Sequence, residues 1–288
     1  MWPNFFIVGA TRSGTTSLYE YLNKIPEVFM CPIKEPSFFS NSFNRKKPIE
    51  NEQDYLQLFK NAEVNQPIGE ASTRYFMDLD VPKKIKQQIP HAKIIILLRD
   101  PVERAFSSYL YYLRRENEEK FSEIIKRSLE IKIDDDFLLG LVVHGGMYFE
   151  NVKRYIDTFG KENVKIIFFE DFATNTKIKF NEILEFLNIR NNQTEIFFDI
   201  HNDYKKPRND FAKFILNVDD YMWKSNIKSI FPFLPNRKNL EGKYLESIKK
   251  PKIPEKEKQE LIKIYQEDVK NLKNLLQIKL PWKNFECD

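Results

Sequence analysis

The residues best placed to do chemistry sit near the start of the chain, in Phe5-Phe6-Ile7-Val8-Gly9-Ala10-Thr11-Arg12-Ser13-Gly14-Thr15-Thr16-Ser17-Leu18. The spacing Gly9-x-x-x-x-Gly14 is that of a phosphate-binding loop, in which backbone N–H groups and a helix N-terminus converge on one anion. The lysine that usually follows the second glycine is Thr15 here, and the nearest cation is Arg12, inside the loop. Such a loop holds a phosphate or sulfate through Ser13, Gly14, Thr15, Thr16 and Ser17. It lacks the group that reaches the β- and γ-phosphates of a nucleoside triphosphate. A second candidate lies in Leu98-Arg99-Asp100-Pro101-Val102-Glu103-Arg104-Ala105-Phe106-Ser107. Arg99 and the Ser107 hydroxyl, about two helical turns past Asp100, can hold a second phosphate with charge-assisted bonds. An Arg99 salt bridge with a surface Ser107 is the alternative.

The elements that must position these groups are legible as apolar runs. Phe5 to Val8 and Lys93 to Leu98 read as strands buried on both faces, and Val164 to Phe169 as a third. Asp100 reads as a helix N-cap, Pro101 as N1 and Glu103 as N3, opening a helix through Leu113. Tyr148–Phe159 and 255–277 also carry helical spacing, and 114–140 looks helical and highly charged. Strands alternating with helices predict an α/β fold, a three-layer α/β/α sandwich around a central parallel sheet. Ligands in such sheets sit at the carboxyl ends of the strands. Residues 9–16, 99–107 and 170–171 occupy those ends, so both candidate anion sites are expected in one cleft.

Composition narrows the classes. A chain of 288 residues with 42% hydrophobic and 31% charged residues predicts a single domain over 1–288. A net charge of +4 does not imply nucleic-acid binding. The cysteines, Cys31 and Cys287, make no disulfide framework, and with His91, His144 and His201 they show no metal-ligand spacing. No leader and no apolar run long enough for a membrane span is evident, so a cytoplasmic protein is expected. Asn192-Gln193-Thr194 is a formal glycosylation triplet to which no role is given.

The loop Thr11–Thr16, the block Leu98–Tyr109 and the terminal Leu280-Pro281-Trp282 resemble the sulfotransferases that use 3′-phosphoadenosine 5′-phosphosulfate (PAPS). The similarity covers almost the whole chain. It is to the branch containing heparan sulfate sulfotransferases and many bacterial relatives, hence a bacterial origin is expected. The resemblance implies a P-loop NTPase-like fold and transfer of a sulfuryl group to a hydroxyl, of a carbohydrate or small metabolite, with no metal. It implies that the 5′-phosphosulfate lies on Ser13–Ser17 and the 3′-phosphate on Arg99 and Ser107. Arg12 stands where the family usually has lysine; it keeps the charge but does not give up a proton. Lys34-Glu35-Pro36-Ser37-Phe38-Phe39 is similar to the family's glutamate segment, making Glu35 the general base, with Phe38 and Phe39 as packing residues.

Gly69–Phe76 resembles the segment lining the acceptor side, which nominates Glu70 and Arg74. Glu70 reads equally as a strand-end salt-bridge partner. Ala71 stands where many carbohydrate-acting members carry lysine. Tyr148 is a candidate acceptor contact, with core packing as the alternative. Arg208, in the basic loop 205–208 before a helix expected at Asn209–Tyr221, is the candidate for closing over the nucleotide phosphates. The competing functions are a P-loop small-molecule kinase, which needs the lysine absent at Thr15, and a non-catalytic nucleotide-binding relative, for which Ala71 is the hint.

Overall fold

Side-chain alternation along the strands builds this molecule. The computed structural model describes residues 1–42, 49–113, 119–189, 205–209, 211–212, 215, 242–247 and 250–285. Its elements run β1 (Phe5–Gly9), α1 (Thr15–Leu22), β2 (Phe29–Met30), α2 (Glu52–Gln57), β3 (Ile68–Ala71), α3 (Val81–Gln88), β4 (Lys93–Leu98) and α4 (Pro101–Tyr112). They continue with α5 (Phe121–Glu130), α6 (Phe137–Val143), α7 (Phe149–Phe159), β5 (Val164–Phe168), α8 (Phe169–Thr174), α9 (Thr176–Phe186), β6 (Lys205–Pro207), β7 (Leu245–Ser247) and α10 (Glu255–Leu276).

The main sheet has the order β2-β3-β1-β4-β5, and every pairing in it is parallel. Phe5, Ile7, Ile95 and Leu97 point to one face, where Leu18 and Leu22 of α1 and Ile183 and Leu184 of α9 cover them. Phe6, Val8, Ile94, Ile96 and Leu98 point to the other, against α4, α7 and α10 through Ala105, Val152, Tyr155, Leu261 and Tyr265. Each such Ile or Leu, taken fully out of water, contributes about 1.5–3 kcal/mol. This is the three-layer α/β sandwich around a parallel sheet. Because β1 leads outward to β2 and β3 while β4 lies on its other side, the crevice between β1 and β4 is the topological switch point.

Several expectations need amending. Phe29–Met30 form the edge strand β2 and Gly69–Ala71 belong to β3, strands too short to stand out by pattern. The third strand ends at Phe168, with Phe169 already opening α8. Asp100 caps α4, its Oδ1 accepting from the N–H groups of Val102 (3.0 Å) and Glu103 (3.3 Å). Glu103 does not complete a reciprocal capping box; its carboxylate faces Arg99 and Lys250 instead. The expected loop at 205–207 is a strand, paired antiparallel with β7. Asn192-Gln193-Thr194, His201, Cys287 and most of the helix expected at 209–221 lie outside the described residues. No helix among the described residues is long and apolar enough to cross a membrane.

Candidate active site

At the end of β1 the chain is tied to its neighbour, with the Ala10 N–H donating to the Leu97 carbonyl at 2.6 Å. Gly14 then takes a φ of 89° and precedes α1 without offering a side-chain cap. A Cβ at Gly14 would lie 2.9 Å from a ring carbon of Phe169, so both the φ and the packing demand glycine. A helix leaves its first N–H groups without intrahelical partners, and here they face the loop. Ser13 is fully buried and its Oγ has no hydrogen-bond partner. A buried hydroxyl without a partner fits a ligand oxygen at this point. Thr15 and Ser17 are also buried, while the Thr16 side chain is exposed.

Arg12 joins this loop to the second candidate site. Its Nε donates to the Ser107 Oγ at 3.2 Å, and its guanidinium lies 5.0 Å from the Tyr111 ring centre. Arg99 donates from Nη1 to the Arg12 carbonyl at 3.4 Å and stacks 4.7 Å over Phe169, the same ring that closes on Gly14. The two strand ends are thus in contact, through Arg12, Arg99 and the Phe169 ring. Burial lowers the Arg99 pKa from its ordinary value, and the charges of Glu103 and Glu170 oppose that. The guanidinium keeps its charge regardless.

The mouth holds one more cation, unassigned by the sequence. Lys250 Nζ lies 2.9 Å from Glu103 Oε2, and 5.4 Å over the Phe106 ring. Its pKa is lowered by burial first, then by Arg99, with Arg12 adding to the effect and Glu103 opposing it. Arg99 and Lys250 thus share Glu103 as their counter-charge at a partly exposed mouth beside Arg12. No local pattern marked Lys250, because 243–258 is rich in lysines and only tertiary folding selects one. Arg208, by contrast, is exposed at the end of the β6–β7 ribbon, its N–H donating to the Tyr244 carbonyl.

A brace of buried groups holds the Arg99 strand end. The Asp100 N–H donates to Glu170 Oε1 at 2.9 Å, and Trp282 Nε1 donates to Glu170 Oε2 at 3.2 Å. Asn284 donates to Asp100 Oδ2 at 2.8 Å. Burial raises the pKa of both carboxyls, and the bonds they accept pull the other way. Tyr148 belongs to this brace: it is 0% exposed and donates its hydroxyl to the Arg99 carbonyl at 2.9 Å. That placement is the core-packing alternative, away from any acceptor.

Beside β1, the end of β3 carries the glutamate segment. Glu35 has a φ of 65°, and its N–H donates to the Ala71 carbonyl at 2.9 Å. Its Oε2 accepts from the Thr73 N–H at 2.8 Å, and Oε1 from Thr73 Oγ1 at 3.0 Å and Lys34 Nζ at 2.8 Å. About a third of the side chain, 35%, stays exposed. A carboxylate fixed this way still has an open edge to accept a proton. Phe38 stacks on Tyr55 at 4.3 Å and Phe39 is buried, so both pack as expected.

Glu70 differs from both expectations. It is 0% exposed and makes no strand-end salt bridge; it accepts from the hydroxyls of Tyr55, Ser72 and Tyr75. Burial raises its pKa to about 7 against the opposing pull of those bonds. Ala71 packs with Ile7 and Leu18 in the apolar layer beneath the sheet. Arg74 lies 5.7 Å over the Phe137 ring.

The comparisons with known proteins agree with this geometry. The model of the sulfotransferase domain family matches residues 3–273. Mouse (Mus musculus) carbohydrate sulfotransferase 15 is 28% identical over 65% of this chain and 44% of its own length. Mouse bifunctional heparan sulfate N-deacetylase/N-sulfotransferase 4 is 27% identical over 65% of this chain and 22% of its own. The chain therefore spans less than half the length of these relatives. A sulfotransferase from Alicyclobacillus acidocaldarius superposes with a TM-score of 0.67 at 27% identity, covering 97% of this chain and 98% of that one. With a family model spanning most of its length and a site built as described, this chain belongs to the sulfotransferase domain family.

Proposed function

We propose that the chain transfers a sulfuryl group from PAPS to an acceptor hydroxyl, of a carbohydrate or a small metabolite. The observation that carries this reading is the Arg12–Ser107 hydrogen bond with Arg99 on the Arg12 carbonyl. It joins two anion-binding segments, far apart in sequence, at one point beside the Glu35 loop. Bound PAPS would supply the sulfuryl group, and the orphaned Ser13 hydroxyl and uncapped α1 are suited to its 5′-phosphate. Arg99 and Ser107 hold the 3′-phosphate, and Lys250 adds charge at the same mouth. Arg12 stabilises negative charge growing on the departing bridging oxygen. Glu35 takes the proton of the acceptor hydroxyl. Arg74 lies on the acceptor side, and Arg208 sits on a ribbon leading toward Lys250. Cytoplasmic, bacterial residence is part of the proposal: the sparse cysteines support a reducing compartment, and the resemblance to a branch with many bacterial relatives supports the origin.

The reading is tested by incubating the chain with sulfur-labelled PAPS and a panel of oligosaccharides and small alcohols. Labelled acceptor together with adenosine 3′,5′-bisphosphate is the expected product pair. Thermal stabilisation by ATP–Mg²⁺ and none by the bisphosphate would favour the kinase reading instead.

A further inference from the structure

Glu70 is buried on the face of β3 opposite Ala71, and the transfer chemistry leaves it without a task. Its contacts supply one. Ser72 Oγ donates to Glu70 Oε1 at 2.6 Å, and Tyr75 donates its hydroxyl to Oε2 at 3.3 Å, beside the hydroxyl of Tyr55. With their protons committed to the carboxylate, the Ser72 and Tyr75 oxygens are left as acceptors. Both accept from the glutamate segment: the Ser37 N–H reaches Ser72 Oγ at 3.0 Å, and the Phe39 N–H reaches the Tyr75 oxygen at 3.2 Å. Ser37 needs such an anchor, because its φ of 55°, like that of Glu35, is one that residues with side chains seldom adopt.

We propose that Glu70 is a positioning residue for Glu35: it fixes the polarity of the Ser72 and Tyr75 hydroxyls, and these hold the base-bearing loop at Ser37 and Phe39. The proposal rests on the reading of Glu35 as the base. A hydroxyl can donate once and accept twice, so the direction of both links depends on an ionised, acceptor-only carboxylate at position 70, the form that predominates above its pKa of about 7. Glutamine presents an amide N–H₂ to one of these hydroxyls, turns its proton away, and forfeits the alignment. Leucine leaves the hydroxyls without any buried acceptor.

The test compares Glu70→Gln with the unaltered chain in two independent readouts. Hydrogen exchange in the presence of adenosine 3′,5′-bisphosphate reads the loop directly. Protection at Ser37 and Phe39 is expected to fall at least about tenfold while the 9–18 and 99–110 segments hold theirs. Turnover with a reactive acceptor is expected to drop about 10- to 100-fold, as for a base displaced by a fraction of an ångström to an ångström. Affinity for the bisphosphate is expected to stay within about twofold. Adding Glu70→Gln to Glu35→Gln should cost little further turnover, because a missing base cannot be mispositioned.

Unchanged protection at Ser37 and Phe39 overturns the proposal. So does an additive double variant, or a loss of bisphosphate affinity that matches the loss of turnover, since either marks general structural damage. Should Glu70→Gln fail to fold, Ser72→Ala and Tyr75→Phe each remove one link and are expected to give partial versions of the same pattern. An unaltered chain that transfers no sulfuryl group overturns the proposed function, and the exchange data then still decide whether Glu70 holds the loop.

Discussion

The two sides of the cleft are built on opposite principles. On the phosphate side, at the ends of β1 and β4, the binding groups are backbone N–H groups, an unpartnered hydroxyl and cations, held in place by packing against Phe169 and Tyr111. On the proposed base side, at the end of β3, the candidate base is a carboxylate already engaged by Thr73 and Lys34, with a second, buried carboxylate behind it. One side is polarised toward a ligand; the other is satisfied within the protein and left with a single open edge. The contrast suits a site where one half grips a fixed nucleotide and the other removes a proton. Binding and turnover should therefore be separable by mutation.

The largest effect should come from the base side. Glu35→Gln keeps the shape of the side chain and removes its proton affinity, so turnover is expected to fall about 10²–10⁴-fold. Affinity for adenosine 3′,5′-bisphosphate, measured by calorimetry, should be unchanged. Equal losses in both quantities would dissolve the division into two sides. The reciprocal cut is Arg99→Ala. It removes a charge-assisted contact worth about 1.5–3 kcal/mol, which lowers bisphosphate affinity about 10- to 150-fold. Glu35 stays in place in this variant, so turnover at saturating donor should suffer much less.

A third experiment probes the base side through stability. Glu70 has a folded pKa of about 7, above its ordinary carboxyl value of 4.5, with burial as the leading cause. Between those values the folded chain holds a proton that the unfolded chain has lost. Its contribution therefore weakens as pH rises through this window, and levels off above it. The integrated difference is on the order of 3 kcal/mol. Asp268, raised to about 6 by burial while accepting the N–H groups of Tyr148 and Phe149, acts in the same direction. Comparing denaturation midpoints of the unaltered chain and Glu70→Gln from pH 4.5 to 8 isolates the Glu70 share. The unaltered chain should lose stability more steeply, and parallel curves would contradict the shift.

The same contrast explains what the sequence could and could not disclose. The phosphate side was legible because its parts are contiguous: Gly9 to Ser17 is strand, loop and helix in one stretch, and Arg99-Asp100-Pro101 is a strand end with its own cap. Lys93–Leu98 matches its strand end to end because a fully buried parallel strand leaves a continuous apolar run. The Glu35 segment could be singled out only through family resemblance. β3 is four residues long with a glycine and a glutamate in it, and nothing local says that Glu70 will face inward to three hydroxyls from residues 55, 72 and 75. The choice between the two readings of Tyr148, and the place of Lys250, were illegible for the same reason. Whether an aromatic is core and whether a lysine finds a site are decided by tertiary neighbours far along the chain.

Lys250 offers the finest cut between the two sides, and the smallest. Its ammonium shares Glu103 with Arg99, whose Nη2 stands 3.6 Å from the same carboxylate oxygen. Under the proposed function Glu103 is a counter-ion that a 3′-phosphate would compete with, and Lys250 shares that carboxylate with Arg99. Lys250→Met retains the stem over Phe106 and removes the charge. It should weaken the bisphosphate about 3- to 10-fold, the scale of a partly exposed ion pair. Glu103→Gln should act in the opposite sense, tightening binding by a similar factor, and the salt dependence of affinity should be shallower in Lys250→Met, which has one cation fewer to meet the phosphates. Turnover at saturating donor should be indifferent to both. If Lys250→Met instead lowered turnover and left affinity alone, this lysine would belong with Glu35, and the boundary between the gripping half and the proton-removing half would have to be redrawn through α4.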